Sequence, residues 1–394
     1  MPVNVLVECP ELIASVKVGV LNSLAPFEKL GICNIRFKKT TLIRADDIRW
    51  CDILVTVRGC EYVTLRIVRA AKKYKRLIVY YLDDDLLNVP IGEACSKIYY
   101  DQVIKKNMLN VIECADILWG VNEKIKDKYL PFCKGARWIF NRVPMNIGVN
   151  YELSFLADKI HILYAGSSGH SDMIQNILIE PIRQIAIEYE DKVDFTFIGV
   201  NPGIEDKKNI YYHPVFSKYS EYRNFVESGN FSIGLAAIYT DEFFQSKYYN
   251  KFLEYTSIGC VGIYTNVKPY TYVVENKING ILCDNDFEGW YNAIKLVIDD
   301  QLLRNSCIQN AQEYVKKYHD IEYVSQHFNI QFNELSSYKA PTIPWTKHVV
   351  FSPIILFVQS RIYDIFEENG VLGGCIVFIA KSIKYICRQL FKKI

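Results

Sequence analysis

FQSKYYNKFLEYTSIGCVGIY, residues 244–264, runs from a polar, basic lead-in through an apolar helical pattern to a glycine and then a short β-branched strand. Gly259 stands where a helix needs a residue that tolerates the left-handed region, so it marks the helix end. VGIYT then reads as a buried strand. Helix, glycine and strand in that order are one repeat of an alternating α/β chain. Glu254 lies mid-helix amid apolar neighbours, and Lys247 and Lys251 are four apart, hence on one face if the helix starts early. Such a unit can present a carboxylate to a ribose diol and cations to a diphosphate. It can equally be a surface helix with ordinary charges.

The same alternation extends in both directions. VNVLVE (3–8), DILVTV (52–57), LIVYYL (77–82), DILWGV (116–121) and WIF (138–140) form one series of apolar runs. IHILYAG (160–166), DFTFIGV (194–200), FSIGLAAI (231–238), VGIYT (261–265) and GILC (280–283) form a second. Helix-like intervals at 61–75, 96–113, 181–190, 248–258, 287–299 and 302–318 fall between them. Continuous apolar strands separated by helices imply parallel sheets covered on both faces. The expected fold class is α/β: two doubly wound, Rossmann-like domains facing a cleft, plus a C-terminal helical appendage. NRVPMNIGVNYELS breaks the periodicity near 145–158 and is the expected joint. The expected division is 1–150 for an N-terminal acceptor-side domain, 158–338 for a C-terminal nucleotide-binding domain, and 339–394 for the tail.

Composition sets the outer bounds. A chain of 394 residues that is 50% apolar can bury two cores. Its formal net charge of +2 gives no global case for nucleic acid. Its 12 cysteines include no C-x-x-C pair and several sit within apolar runs, so they read as reduced packing residues of a cytoplasmic protein. MPVNVLVECPEL lacks the basic and long apolar regions of a signal peptide, and no run reaches about 18 clean apolar residues. Neither a P-loop nor a strand-linked G-x-G-x-x-G is present, which speaks against a P-loop enzyme or a dehydrogenase. H-E-x-x-H and G-x-S-x-G are absent as well.

KFLEYTSIGCVGIYTNVKPYTYVVENKINGILCDNDFEGWYNAI, which contains Lys251, Glu254, Gly259, Val261, Asn279, Gly280 and Trp290, resembles the nucleotide-sugar-binding half of GT-B glycosyltransferases. The likeness is to the retaining family called group 1 or family 4, and in particular to its polysaccharide-biosynthesis members. YAGSSGHSDM (164–173) resembles that family's donor-phosphate loop, and DILWGVNEKIKDKY with the following NRVP resembles the end of its N-terminal domain. The likeness covers roughly 50–335. It implies transfer of a sugar from a nucleotide-diphosphate donor to a hydroxyl of a glycan or lipid-linked saccharide, with retention of configuration. It also implies Phe252 and Glu254 in donor binding. Three positions depart from the pattern. Ser246 stands where many members carry the first glutamate of E-x7-E, Val261 replaces the usual proline, and HSDMIQN holds no obvious Arg/Lys pair. Lys247 and Lys251 are the substitutes expected to neutralise the diphosphate, so no metal cofactor is required. A non-catalytic nucleotide-sugar or glycan-binding subunit is the alternative.

The loop has its own physics. Gly166, Ser167, Ser168 and Gly169 can turn tightly and offer backbone N–H groups to an anion, and a helix beginning just downstream adds its positive end. His170 can donate a hydrogen bond to phosphate or sugar. The bland reading is a strand-to-helix turn.

Asp83, Asp84 and Asp85 follow LIVYYL, at the carboxyl end of a strand, where open α/β sheets place their sites. They are expected to orient an acceptor hydroxyl or to stabilise charge on the anomeric carbon. A cap or turn and a divalent-metal site are the competing readings, and at least one of the three is expected to do no more than cap or turn. Arg58, after DILVTV, is a further cleft candidate.

The tail differs in character. From 371 to the end it carries Lys381, Lys384, Arg388, Lys392 and Lys393 and no acidic residue. Ile379, Ile383, Ile386, Leu390 and Ile394 recur at helical spacing. A basic amphipathic helix of this kind lies on anionic membrane, here the inner face. The alternative is a helix packed back on the domains.

Overall fold

The computed structural model describes residues 1–91, 96–147, 159–166, 170–204, 207–344, 362, 365–366 and 369–381. Two compact units make up the chain. The first comprises Met1–Asp83, Lys97–Asn141 and Phe328–Ile394, and the second comprises Asp84–Ser96 and Arg142–His327.

The first unit is built on six strands: β1 (Val3–Cys9), β2 (Cys33–Lys39), β3 (Ile53–Val57), β4 (Leu77–Leu82), β5 (Ile117–Gly120) and β6 (Arg137–Phe140). They lie in the order β2-β1-β3-β4-β5-β6. Every pairing is parallel, with Val5 opposite both Ile35 and Ile53. β3 and β5 are buried at every position, as runs covered by helices on both faces must be. The expected helix over 96–113 divides into Ser96–Tyr99 and Gln102–Glu113. Asp101 causes the break: its carboxylate accepts from the Val103 and Ile104 amides and starts a new helix. Trp119, at the centre of the core, packs against Tyr81, Phe328 and Phe332.

The second unit holds β7 (Ile160–Ala165), β8 (Val193–Ile198), β9 (Ile210–His213), β10 (Ile233–Ala236), β11 (Val261–Thr265) and β12 (Ile281–Cys283). The order is β12-β11-β10-β7-β8-β9, again parallel throughout. Gly259 adopts φ +74 just past the helix Asn250–Ser257, as the sequence requires. The helix Phe287–Asp299 opens on Asp286, whose carboxylate caps the Gly289 amide. It buries Trp290, Ile294 and Val297 against the sheet.

Two strands escaped the sequence reading, and both are sheet edges. β2 alternates with cations and fully buries only Cys33. β9 exposes Tyr211 and Tyr212. An edge strand has one neighbour and less apolar cover, so its sequence lacks the continuous apolar run. Residues 369–381 are helical. Among the described residues no helix is long and apolar enough to cross a membrane.

Candidate functional site

In a parallel sheet all strand carboxyl ends share one edge, and the expected site residues of the second unit gather there. Gly166 follows β7 and extends its ladder by donating to the Ile198 carbonyl. A Cβ at Gly166 would lie 2.8 Å from His170 Nδ1 and 3.0 Å from the Tyr164 ring. Gly199, at φ +80, approaches so closely that a Cβ would sit 2.1 Å from the Gly166 carbonyl oxygen. Glycine at 166 leaves room for the His170 ring, and glycine at 199 lets the two backbone segments approach. The helical run from Ser171 to Glu188 starts directly after His170. Ser167 and Ser168 lie outside the described residues, with Gly169.

His170 Nδ1 lies 3.2 Å from the Tyr164 hydroxyl, and the ring packs edge-on against Phe244. Burial pushes its pKa down to about 4, assisted by the nearby Lys247 and Lys251 ammonium groups. The imidazole is therefore neutral near pH 7 and keeps one N–H to donate.

Lys247 stands between two helices. Glu242–Gln245 is capped by the Asp241 carboxylate on the Phe244 amide, and Asn250–Ser257 begins three residues after Lys247. The helix does not start early, so the shared face expected for Lys247 and Lys251 is absent. The turn brings their charges onto His170 by another route. Lys247 Nζ lies 4.4 Å from the Phe243 ring centroid and 3.7 Å from Asp84 Oδ1. Lys251 Nζ donates to Glu254 Oε2, one turn along the same helix. The Tyr222 hydroxyl donates to Glu254 Oε1, so both carboxylate oxygens are held. Ser246, at the position of the missing glutamate, is buried and bonds the Glu242 carbonyl.

Phe252 does not join this group. It is fully buried, and its ring packs against Tyr249, Tyr264 and Tyr314. Apolar periodicity places it on the core face of the helix that presents Lys251 and Glu254. The donor-contact role expected for its side chain is corrected to packing.

The aspartate triplet divides. Asp83, in the first unit, accepts from Arg58 Nε at 2.6 Å. Arg58 itself has φ +52, an uncommon conformation for a residue with a side chain, and its amide bonds the Tyr81 carbonyl. Asp84 belongs to the second unit and faces Lys247 there. Asp85 is fully buried and anchors a turn, with its carboxylate accepting from the Asn88 side-chain amide at 3.0 Å and its carbonyl from the Asn88 N–H. The catalytic role expected of the triplet does not fit a buried Asp85, which is the member that only turns the chain, as expected of at least one of the three.

Two residues were not legible in the sequence. Tyr222, on the helix Tyr219–Ser228, is 32 residues from its partner Glu254, and no spacing rule connects them. Glu8, at the end of β1, is fully buried and accepts from the Thr40, Thr56 and Thr64 hydroxyls. Burial raises its pKa against those three donors. A lone acid closing an apolar strand was the available signal. Among the described residues no group of three or more His, Cys, Asp or Glu is arranged to hold a metal ion.

No family model matches the sequence, and no curated protein matches it. Solved structures do. HepE from Anabaena, in complex with UDP and glucose, aligns at TM-score 0.61 and 12% identity over 86% of this chain and 100% of its own. Sucrose-phosphate synthase from Thermosynechococcus elongatus aligns at TM-score 0.60 and 12% identity over 85% of this chain and 99% of its own. An α-glucosyltransferase in complex with UDP and a 13-mer DNA aligns at TM-score 0.59 and 12% identity over 86% of this chain and 100% of its own. The chain has the GT-B fold. Each six-stranded parallel sheet is one of the two Rossmann-like halves of that fold, and the helical residues 369–381 are appended to it.

His170 and His319 make a pH test of the second unit of the GT-B fold. His319 is buried and His170 half-buried, both are pushed down to about 4, and His319 Nδ1 lies 2.8 Å from the Val143 carbonyl. In the unfolded chain each titrates near 6.5. Between those values the unfolded chain binds more protons, so the stabilisation is complete above pH 6.5 and is lost as pH falls toward 4. Melting temperature should therefore drop through that window. His319→Asn, which keeps a donor but cannot charge, should flatten the drop.

Proposed function

We propose that this chain is a hexosyl-type glycosyltransferase. It moves a sugar from a nucleotide-diphosphate donor to a hydroxyl of a glycan or lipid-linked saccharide, with retention, without a metal, on the inner face of a membrane in polysaccharide biosynthesis. The observation that carries the reading is the convergence of Gly166, His170, Lys247 and Lys251 at one sheet edge, with Glu254 held beside them. The solved neighbours bearing UDP or UDP-glucose support it at the level of fold, and UDP-glucose is the first donor to test.

Each role follows from charge. As the anomeric bond to the donor phosphate breaks, negative charge grows on the leaving diphosphate. Lys247 and Lys251 stabilise it with their ammonium charges. Neutral His170 donates one hydrogen bond. The Glu254 carboxylate retains lone pairs for a ribose diol after bonding Tyr222 and Lys251. Asp83, Arg58 and Asp84 serve the acceptor side, where a carboxylate can take the hydroxyl proton.

Glu254→Gln should weaken donor binding about 10–100-fold, the size expected when a charge-assisted hydrogen bond becomes a neutral one. Isothermal titration with UDP and UDP-glucose reads this, and an unchanged affinity removes Glu254 from the donor site. Transfer should persist in excess chelator, because fixed cations do the work a metal would do. Loss of transfer with EDTA and recovery with Mn²⁺ or Mg²⁺ would overturn the metal-free reading.

Ser246 in the place of the first glutamate motivates a second reading, a non-catalytic nucleotide-sugar-binding subunit. Donor binding without transfer across a broad acceptor panel would favour it.

A further inference from the structure

Residues 369–381 form a helix whose amphipathicity is turned inside out. Val371, Leu372, Ile376, Phe378 and Ile379 are 75%, 84%, 70%, 40% and 57% exposed. At 100° per residue these five positions, with exposed Cys375, fall on one arc of about 160°. The inward side carries Gly373 and Gly374 with the half-buried Val377. Gly374 is buried, and a Cβ there would lie 2.7 Å from the Phe366 ring. A helix packed on a protein core does the reverse: it buries its large apolar residues and turns small or polar ones outward.

The sequence keeps this phase beyond the described residues. Counted on at helical spacing, Ile383, Ile386, Leu390 and Ile394 fall on the arc of Leu372, Ile376 and Ile379. Lys381, Lys384, Arg388 and Lys392 fall on the opposite side, Lys393 falls on the arc near the chain's end, and no acidic residue occurs from 371 onward. An apolar arc backed by a cationic face matches one surface in particular, a bilayer interface with anionic headgroups. A second copy packed arc to arc would leave both cationic faces turned outward with no acidic partner, whereas anionic headgroups answer the cations beside the acyl chains that take up the arc.

We infer that the arc of Val371, Leu372, Ile376, Phe378 and Ile379 is a membrane-docking surface that seats the chain on an anionic lipid bilayer. The inference deepens the proposed function, since it puts the enzyme where a lipid-linked acceptor resides. Its evidence is separate from that of the donor site.

The test is co-sedimentation of the full chain with two vesicle preparations, phosphatidylcholine alone and phosphatidylcholine with phosphatidylglycerol as a minor component. Binding is expected to the second preparation and to weaken with salt. Ile376→Asp with Ile379→Asp should lower the partition coefficient about tenfold or more. Both positions are exposed, so the fold survives, which unchanged circular dichroism and an unchanged UDP-induced melting shift would verify. Lys381→Glu with Lys384→Glu should abolish the preference for anionic vesicles. The proposal is overturned if the aspartate pair binds vesicles like the parent. It is also overturned if the parent binds neither preparation, or forms a concentration-dependent dimer that the aspartate pair disrupts. Vesicle binding without sugar transfer would sink the enzymatic reading and leave the docking surface standing.

Discussion

Lys247→Ala should lower kcat about 10²–10³-fold, the loss seen when one preorganised group facing developing charge is removed. The Lys247 ammonium is held over Phe243 and Phe244, beside Asp84 and near neutral His170. Aromatic faces and a carboxylate orient it. The ground-state donor already carries two phosphate charges, and the added charge appears as the bond breaks. The effect should therefore fall on kcat more than on KM. Lys247→Arg should recover part of the rate, since the charge returns but the geometry differs. Lys247 is 28% exposed in its side chain, so alanine there should leave the melting temperature nearly unchanged. Equal losses in kcat and stability would make Lys247 a structural residue and remove it from the site.

Trp119→Ala should destabilise the first unit by about 3–5 kcal/mol, the range for deleting a buried aromatic. Trp119 is 1% exposed, with ring centroids of Phe328 at 4.8 Å, Tyr81 at 5.1 Å and Phe332 at 6.3 Å. Deletion leaves a hole lined by three rings that cannot all close on it. Denaturant unfolding should show an early transition belonging to the first unit, followed by a second near its original midpoint. Two units need not unfold together, so the curve is to be read as two steps. A single transition shifted as a whole would mean the units unfold as one.

The strands of the two sheet centres were plain in the sequence because burial on both faces demands unbroken apolar runs, as in LIVYYL and VGIYT. The edges were hidden because β2 and β9 carry cations and tyrosines at half-exposed positions. At the site, Gly166, His170, Lys247, Lys251 and Glu254 were named from local spacing, and the fold gathers them. The mechanism of gathering was read wrongly for Lys247, since a helix break after Gln245 does what a continuous helix was expected to do. Phe252 was misassigned because helical phase relative to the core outweighs membership of a motif. Tyr222 and the three threonines around Glu8 come from elements far along the chain, and no local pattern carries such partnerships.

Phe328 and Phe332, which close over Trp119, are made long after the sheet they cover. On the ribosome the leading sheet must wait, its tryptophan uncovered, until almost two hundred further residues have emerged. The intervening lobe is nearly continuous in sequence and can mature first. Nascent chains arrested before residue 328 should bind chaperones through the waiting half, and release should follow once those two phenylalanines leave the tunnel.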